Sequence, residues 1–197
     1  RALAPPPPRP GADAVHVLAA AHRLPRVRPS LWALSSFLAA GADAAARTPG
    51  DRWRSDDWFV PSPASPGVVT HFAAWLDAMT AADAGALGLV PADAAAIDPQ
   101  ARLTVEAAAD ALAAASPDAP RSTTALYVGA MYHEYLDLQS GVGRGSLPPR
   151  AVVGCGAAFL VGRAARALAL GGPAASVDTA CSSSAVALDA ARAAVRN

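Results

Sequence analysis

Cysteine is scarce in this sequence of 197 residues, which contains only Cys155 and Cys181. Two cysteines are too few for the disulfide framework of a small secreted domain, and they suit a reducing compartment in which thiols stay free. Net charge is also lacking, because sixteen basic residues balance sixteen acidic ones. The protein as a whole therefore has no electrostatic field that would attract nucleic acid or an anionic membrane. Partners must be recognised by local shape and chemistry.

Long uninterrupted apolar runs are missing as well. Arg163 and Arg166 break the apolar stretch over residues 151–170, so a membrane span there would bury two guanidinium groups in lipid. The chain does not begin with methionine, and residues 1–14 form a Pro-rich run without the apolar core of a secretory signal. We therefore predict a linker over residues 1–14, no membrane span, and a cytoplasmic or plastidic location.

Sequence motifs typical of metal-binding or nucleotide-binding sites are not found. The cysteines and histidines show no paired ligand spacing, and no glycine-rich phosphate loop is evident. The four histidines are scattered, and all of them precede Cys181. We expect them to be surface residues or hydrogen-bonded core residues without a catalytic role: His16, His22, His71 and His133. His133 is the strongest catalytic candidate among them, because it closely follows the end of a predicted strand. We expect no bound metal and no directly bound cofactor.

Apolar residues make up 53% of the chain, which is enough for a globular core in one domain or in part of a larger one. Apolar and β-branched runs predict strands at residues 15–20, 123–128 and 174–177. Start and stop signals predict four helices: one capped by Ser30, one from Asp98-Pro99 to Ser116-Pro117, one over residues 152–170, and one beginning near Cys181. Residues 47–66 are expected to form an ordered loop anchored by Trp53 and Trp58. The order of elements indicates an α/β protein with strands buried between helices.

The most informative stretch is Val177-Asp178-Thr179-Ala180-Cys181-Ser182-Ser183-Ser184, at a predicted strand-to-helix junction. A side chain at such a junction is presented at the top of a sheet, where the helix has not yet used the following amides. These amides and the helix dipole favour a negative charge on the Cys181 sulfur and enlarge its thiolate fraction. The small neighbouring residues leave room for a thioester, so Cys181 is predicted to accept an acyl group. Cys155 lies in an apolar helix without an activating neighbour and is predicted to be structural.

This octapeptide is similar, residue for residue, to the active-site signature of β-ketoacyl synthases of the modular type I polyketide class. Further segments that resemble landmarks of this family occur in the family's order: Arg23-Leu24-Pro25, Asp51-Arg52-Trp53, Asp98-Pro99-Gln100 with Arg102-Leu103, Gly162-Arg163 and Gly172-Pro173. Spaced matches of this kind are much harder to obtain by chance than a single cysteine motif. Residues 15–197 therefore resemble the N-terminal portion of a ketosynthase domain, which we expect to be truncated after the nucleophile helix begins.

The resemblance implies a thiolase-like fold, of which this chain would hold an incomplete first half with α/β/α layers. It implies that Cys181 takes an acyl chain from the phosphopantetheine arm of an acyl carrier protein and that its own N–H is an oxyanion donor. Decarboxylative Claisen condensation with a malonyl-type unit would follow, in polyketide or fatty acid biosynthesis. Asp178 and Thr179 match the motif as its supporting turn, together with Ala180 and Ser182. The implied partners are the acyl carrier protein, other domains of the same synthase, and a second copy in a homodimer.

The sequence also departs from the family pattern. The family's two catalytic histidines lie downstream of the cysteine, and no histidine follows Cys181 here, so we expect the chain alone to be inactive. The glycine-rich opening before Arg23 is replaced by Ala19-Ala20-Ala21-His22, and Asp189 stands where the family often has histidine. These departures indicate a divergent member.

Two other hypotheses remain open. A degenerate, non-catalytic ketosynthase half could serve as a structural or dimerisation partner, although such homologues commonly lack the cysteine. A cysteine hydrolase of another fold would not explain the landmarks at Asp98 and Gly162. Thiol labelling separates these hypotheses, because a dipole-activated Cys181 should react faster than Cys155.

Overall fold

A computed structural model of the chain describes residues 14–62, 66–76, 85, 94, 96–140 and 151–196. The chain divides into two compact units, one of Ala20–Ala82 and one of Arg1–Ala19 with Asp83–Asn197. The predicted linker lies outside the described residues, except for residue 14. No described helix has both the length and the apolar character needed to cross a membrane.

The unit Ala20–Ala82 contains helix α1 (Leu31–Ala39) and an antiparallel pair of short strands, β1 (Ala45–Arg47) and β2 (Phe72–Ala74). The predicted cap of α1 is confirmed, because Ser30 Oγ accepts a hydrogen bond from the Ala33 amide at 3.1 Å. No residue of α1 is buried, so its apolar side chains do not form a core face.

The predicted loop over residues 47–66 is mostly irregular and contains a 3₁₀ turn at Ser55–Asp57; residues 63–65 lie outside the described part. Trp53 packs edge-on against Trp75, with 4.9 Å between the ring centroids. Trp58 is 63% exposed, so its prediction as an anchor is wrong. Trp75 is the second anchor instead, since its Nε1 donates to the Ala46 carbonyl in β1 at 3.3 Å.

The second unit carries the predicted α/β arrangement. Its described elements are α2 (Pro99–Ala115), β3 (Leu126–Gly129), α3 (Tyr135–Ser140), α4 (Ala151–Cys155), α5 (Ala157–Ala167), β4 (Ala174–Val177) and α6 (Ser183–Arg196). Strands β3 and β4 are parallel, with Leu126 opposite Ala174 and Gly129 opposite Val177. Helices α5 and α6 pack on these strands, and α2 packs on α5.

The start of α2 is confirmed as predicted. Asp98 is the N-cap, its Oδ1 accepts a hydrogen bond from the Gln100 amide at 2.8 Å, and Pro99 occupies the first turn. The helix ends at Ala115, because Ser116 takes an extended conformation before Pro117.

The core of this unit is built where α2 and α5 meet β3. One cluster centres on Val105, Ala164 and Leu168, and the other on Ile97, Ala101 and Leu160. Ala101 and Ala164 are 1% and 0% exposed, and their small side chains let the two helices approach closely.

The helix predicted over residues 152–170 is interrupted. Gly156 is extended (φ −76°, ψ 147°) and separates α4 from α5, while Ala169 ends the second helix with a φ of +55°. The Gly154 carbonyl accepts a hydrogen bond from the Asp98 amide at 3.0 Å, so α4 is held by the N-terminus of α2 rather than continuing into α5.

Two strand predictions also differ from the structure. Residues 15–20 form no strand, because they have no ladder partner among the described residues, and Val17 and Leu18 are 84% and 73% exposed. The strand predicted over residues 123–128 starts later, at Leu126, because Arg121–Thr123 forms a 3₁₀ turn.

Candidate active site

Residues 178–182 form the turn that joins β4 to α6, and Cys181 lies in this turn two residues before the helix begins. The Cys181 thiol is free and its side chain is exposed. The prediction of a helix beginning near Cys181 is therefore confirmed, with its first helical residue at Ser183.

Local hydrogen bonds fix the first half of the turn. Asp178 Oδ1 accepts a hydrogen bond from the Ala180 amide at 3.1 Å, which closes a side-chain turn around Thr179. Ala180 has a φ of +55°, a left-handed conformation that costs a residue with a Cβ about 1–2 kcal/mol. This reversal directs the chain from the strand end into Cys181.

Two serine hydroxyls fix the second half. The buried Ser183 Oγ accepts a hydrogen bond from the Thr179 amide at 2.9 Å and donates one to the Ala180 carbonyl at 2.7 Å. Ser182 Oγ lies 2.8 Å from the Thr179 carbonyl oxygen and 2.9 Å from Thr179 Oγ1. The polar groups that flank Cys181 therefore bond to one another and leave the thiol open to solvent.

Gly129, the last residue of β3, brings the strand against the first turn of α6. A Cβ added there would lie 2.5 Å from the Ser184 amide nitrogen and 2.6 Å from the Ser183 carbonyl carbon. Any larger residue would push the helix away from the strand. Gly129 therefore sets the position of the helix start beside the Cys181 turn.

The turn brings a thiol, a backbone amide and a helix N-terminus to one place. The Cys181 amide makes no hydrogen bond to any described residue, so it is available to an oxyanion. The helix that follows is 14 residues long, and its N-terminus carries partial positive charge. The amide and the helix N-terminus lie where a negative charge on an adduct of the Cys181 sulfur would be stabilised.

The structure brings together the residues predicted to support Cys181: Asp178, Thr179, Ala180 and Ser182. Sequence reasoning missed two further residues, Ser183 and Gly129. Sequence reasoning treats the three serines only as small neighbours of Cys181 and assigns no role to Gly129. The signal for Ser183 was its spacing, because a hydroxyl in the first turn of a helix can cap the amides that precede it.

Cys155 is the last residue of the short helix α4, not an interior residue of the long helix that was predicted, and it lies close to Asp98. It is 3% exposed at the end of α4, and its Sγ lies 3.5 Å from Gln139 Nε2 and 3.8 Å from the Ala96 carbonyl oxygen. Burial raises the pKa of the Cys155 thiol above its ordinary value, and the Asp98 carboxylate raises it further, partly opposed by a hydrogen bond to the Asp98 backbone. The net effect of this environment favours the neutral thiol.

A serine, a histidine and an aspartate also meet in the unit Ala20–Ala82. Ser55 Oγ lies 3.2 Å from His71 Nδ1, and Asp56 Oδ1 lies 3.6 Å from the same nitrogen. A catalytic relay needs the carboxylate and the hydroxyl on different ring nitrogens, so this cluster is structural. Arg47 neutralises Asp56 across a 2.7 Å ion pair.

Asp189, which the sequence analysis names as a departure from the family pattern, lies on α6. Its Oδ1 pairs with Arg192 Nη2 at 2.8 Å on the exposed surface. Within the described residues, no group of three or more histidine, cysteine, aspartate or glutamate side chains could hold a metal ion.

The fold and the turn define an α/β protein that presents a cysteine thiol where a parallel strand meets a helix. The family model described as "Beta-ketoacyl synthase, N-terminal domain" matches residues 12–197. The chain therefore belongs to the β-ketoacyl synthase family.

Curated relatives of the chain are polyketide synthases. A phenolphthiocerol/phthiocerol polyketide synthase of Mycobacterium tuberculosis (strain CDC 1551 / Oshkosh) is 39% identical over 165 residues, covering 81% of this chain and 10% of the relative. Erythronolide synthase EryA3 of Saccharopolyspora erythraea is 34% identical over 201 residues, covering 97% of this chain and 6% of the relative. The chain thus spans a tenth or less of the length of these relatives.

Solved ketosynthase domains share its fold. An oxazolomycin ketosynthase domain of Streptomyces albus JA3453 matches with a TM-score of 0.77 and 27% identity, covering 91% of this chain and 32% of that one. The ketosynthase from module 6 of the bacillaene synthase of Bacillus subtilis 168 matches with a TM-score of 0.73 and 26% identity, covering 90% of this chain and 28% of that one. These matches confirm the predicted thiolase-like fold and the predicted resemblance to polyketide ketosynthases.

Proposed function

We propose that the chain supplies the acyl-accepting part of a β-ketoacyl synthase site, with Cys181 as the nucleophile. The observation that carries this proposal is the free, exposed thiol in the turn between β4 and α6. The relatives are named as polyketide synthases, which favours polyketide over fatty acid synthesis as the pathway.

In the proposed first step, the Cys181 thiolate attacks the carbonyl carbon of an acyl group carried as a thioester on the phosphopantetheine arm of an acyl carrier protein. The new sulfur–carbon bond gives a tetrahedral oxyanion, to which the free Cys181 amide donates a hydrogen bond. The bond to the phosphopantetheine sulfur then breaks, and that thiol leaves with a proton. Asp178, Thr179, Ala180 and Ser182 act by holding the turn that presents the thiol.

In the proposed second step, a malonyl-type unit on a carrier protein loses carbon dioxide, and its carbanion attacks the acyl group on Cys181. A carbon–carbon bond forms, the bond to the Cys181 sulfur breaks, and a 3-oxoacyl thioester is released on the carrier. We assign acyl loading to Cys181 and assign the promotion of decarboxylation to no residue of this chain.

The proposed partners are the acyl carrier protein, the other domains of the same synthase and a second copy of the domain. The proposed location is the cytosol, since the relatives named above are bacterial enzymes, which favours it over a plastid.

The experiment is a condensation assay on the full-length protein that carries this sequence, with an acyl thioester and a malonyl-loaded carrier protein. We expect carbon dioxide release coupled to a 3-oxoacyl product in the wild type, its loss in Cys181→Ala, and its retention in the matched control Cys155→Ala. A Cys181→Ala variant that still forms the product would overturn the proposal. A folded wild type that neither loads nor condenses would instead support the non-catalytic alternative.

A further inference from the structure

A basic loop precedes helix α1 in the unit Ala20–Ala82. Residues 14–42 contain three arginines and neither aspartate nor glutamate, although the whole chain has a net charge of zero. Two of these arginines, Arg26 and Arg28, are exposed. No carboxylate of a described residue forms an ion pair with either guanidinium. The surface of this loop is therefore positive, and its charge is not neutralised locally.

The base of the loop, which covers residues 22–30, is closed by His22. The Nε2 atom of His22 lies 3.1 Å from the Ser30 carbonyl oxygen, which accepts a hydrogen bond from the ring. The Arg23 side chain donates a hydrogen bond to the His22 carbonyl at 3.1 Å. These bonds join the two ends of the loop, so its exposed arginines are presented on a defined backbone.

Arg26 occupies the turn at the tip of the loop in an unfavourable conformation. The turn runs from Leu24 to Val27, and the Val27 amide donates a hydrogen bond to the Leu24 carbonyl at 3.3 Å. Arg26 follows Pro25 and has a φ of 58°, a left-handed conformation that glycine adopts readily and that a residue with a Cβ rarely adopts. Residues held in such conformations cluster at functional sites. An arginine in place of the more favourable glycine therefore suggests a role for its side chain.

The chemistry of the loop suits a protein partner better than a nucleic acid. Guanidinium groups form paired hydrogen bonds with carboxylates, and Leu24, which is 41% exposed, adds an apolar contact beside them. Residues 22–30 contain no phenylalanine, tyrosine or tryptophan on which a base could stack, and two arginines are few for following a phosphate backbone. The observations favour a protein segment that carries carboxylates.

We propose that the loop over residues 22–30 is a docking site for an acidic segment of a partner protein, with Arg26 and Arg28 binding its carboxylates. The charges are complementary, and neither guanidinium would have to give up an ion pair with a described residue. His22 is a positioning residue, because it holds the base of the loop. The inference uses no residue of the turn that contains Cys181 and stands independently of the proposed function.

The experiment measures binding of a fluorescein-labelled peptide, in which glutamate and alanine alternate, to the full-length protein by fluorescence anisotropy. A peptide with glutamine in place of glutamate is the control for charge. We expect the acidic peptide to bind more tightly than the glutamine peptide. Arg26→Asn and Arg28→Gln should each weaken its binding about threefold, the size of one exposed ion pair. Asparagine tolerates a positive φ, so Arg26→Asn removes the charge and keeps the turn.

The matched control variant is Arg54→Gln. Arg54 belongs to the same unit and its side chain is 82% exposed, but its guanidinium already pairs with Asp57 at 3.4 Å. We expect this variant to bind the acidic peptide as the wild type does. His22→Leu should weaken binding because the base of the loop opens, and His22→Gln should restore it, since the glutamine amide can donate to the same carbonyl.

Amide hydrogen exchange of the full-length protein locates the site, and we expect the acidic peptide to slow exchange within residues 22–30. Equal binding of the acidic and glutamine peptides, unchanged affinity in the double variant Arg26→Asn/Arg28→Gln, or slowed exchange only outside residues 22–30 would overturn the inference. An equally tight complex with a single-stranded oligonucleotide would also overturn it, because the loop would then bind polyanions in general. Acylation of Cys181 is measured separately, so each of these results leaves the proposed function standing.

Discussion

Ser183 and Thr179 are joined across the Cys181 turn by a hydrogen bond of 2.9 Å, from the Thr179 amide to the buried Ser183 hydroxyl. The same hydroxyl donates to the Ala180 carbonyl at 2.7 Å. One side chain in the first turn of α6 thus ties together the two residues that precede the nucleophile. The position of the Cys181 thiol therefore depends on a residue of the helix that follows it.

The first prediction concerns this hydroxyl. Ser183→Ala should weaken the turn by about 1–3 kcal/mol, because a buried amide and a carbonyl lose their partner. We expect faster amide hydrogen exchange in β4 and the first turn of α6, together with slower acylation of Cys181. The matched control is Ser184→Ala, whose side chain is exposed. Equal effects of the two substitutions would contradict the role given to Ser183.

The second prediction concerns the close approach of β3 to α6. Gly129→Ala should destabilise the protein by roughly 1–3 kcal/mol or more, because the new methyl group would overlap the backbone of Ser183 and Ser184. Gly162→Ala in α5 is the control, since an added Cβ there meets nothing within 4 Å and alanine favours a helix. Melting temperature checks both variants. We expect a lower value for Gly129→Ala and an unchanged or higher value for Gly162→Ala.

The third prediction compares the two thiols. Iodoacetamide near neutral pH should label the exposed Cys181 much faster than Cys155, which is 3% exposed and has a raised pKa. Peptide mass spectrometry after timed quenching gives both rates from one sample. Slow and equal labelling of the native protein would argue against an activated thiol in the turn.

The fourth prediction is a loss of stability in alkali caused by Cys155. Its pKa is raised in the folded protein by burial and then by Asp98, so the folded state retains a thiol proton that the unfolded chain releases above its ordinary pKa of about 8.5. The contribution of the protonated Cys155 thiol to the free energy of unfolding is complete below the pKa of the unfolded chain. It is lost as the pH rises through the pKa that Cys155 has in the folded protein. Melting temperature should therefore fall more steeply above about pH 8.5 in the wild type than in Cys155→Ala. The same dependence of melting temperature on pH in the wild type and in Cys155→Ala would contradict this account.

Local signals predicted the elements that frame the site. Asp98-Pro99 marks the start of α2, because a side-chain cap and a fixed φ act on their own residues, and the short strand Ala174–Val177 was predicted with its observed bounds. The position of Cys181 between strand and helix followed from the same kind of signal. These features depend on residues that are neighbours in the sequence.

Features that depend on distant contacts were not predictable in this way. The helix breaks at Gly156, next to a hydrogen bond from the Asp98 amide to the Gly154 carbonyl. The sequence of residues 152–170 alone cannot predict this bond, because Asp98 lies far from them in the chain. Residues 15–20 have the composition of a strand, but a strand also needs a partner in a ladder. The positive φ of Ala180 could not be predicted from the sequence, because alanine rarely adopts this conformation.

The most direct test of the central claim is to locate the acyl group after the full-length protein reacts with an acyl thioester. Digestion and tandem mass spectrometry identify the modified residue, and hydroxylamine removes a thioester-bound group. The account predicts a hydroxylamine-sensitive acyl group on Cys181, with none on Cys155 and none in Cys181→Ala. An acyl group on another residue, or acylation that survives Cys181→Ala, would contradict it.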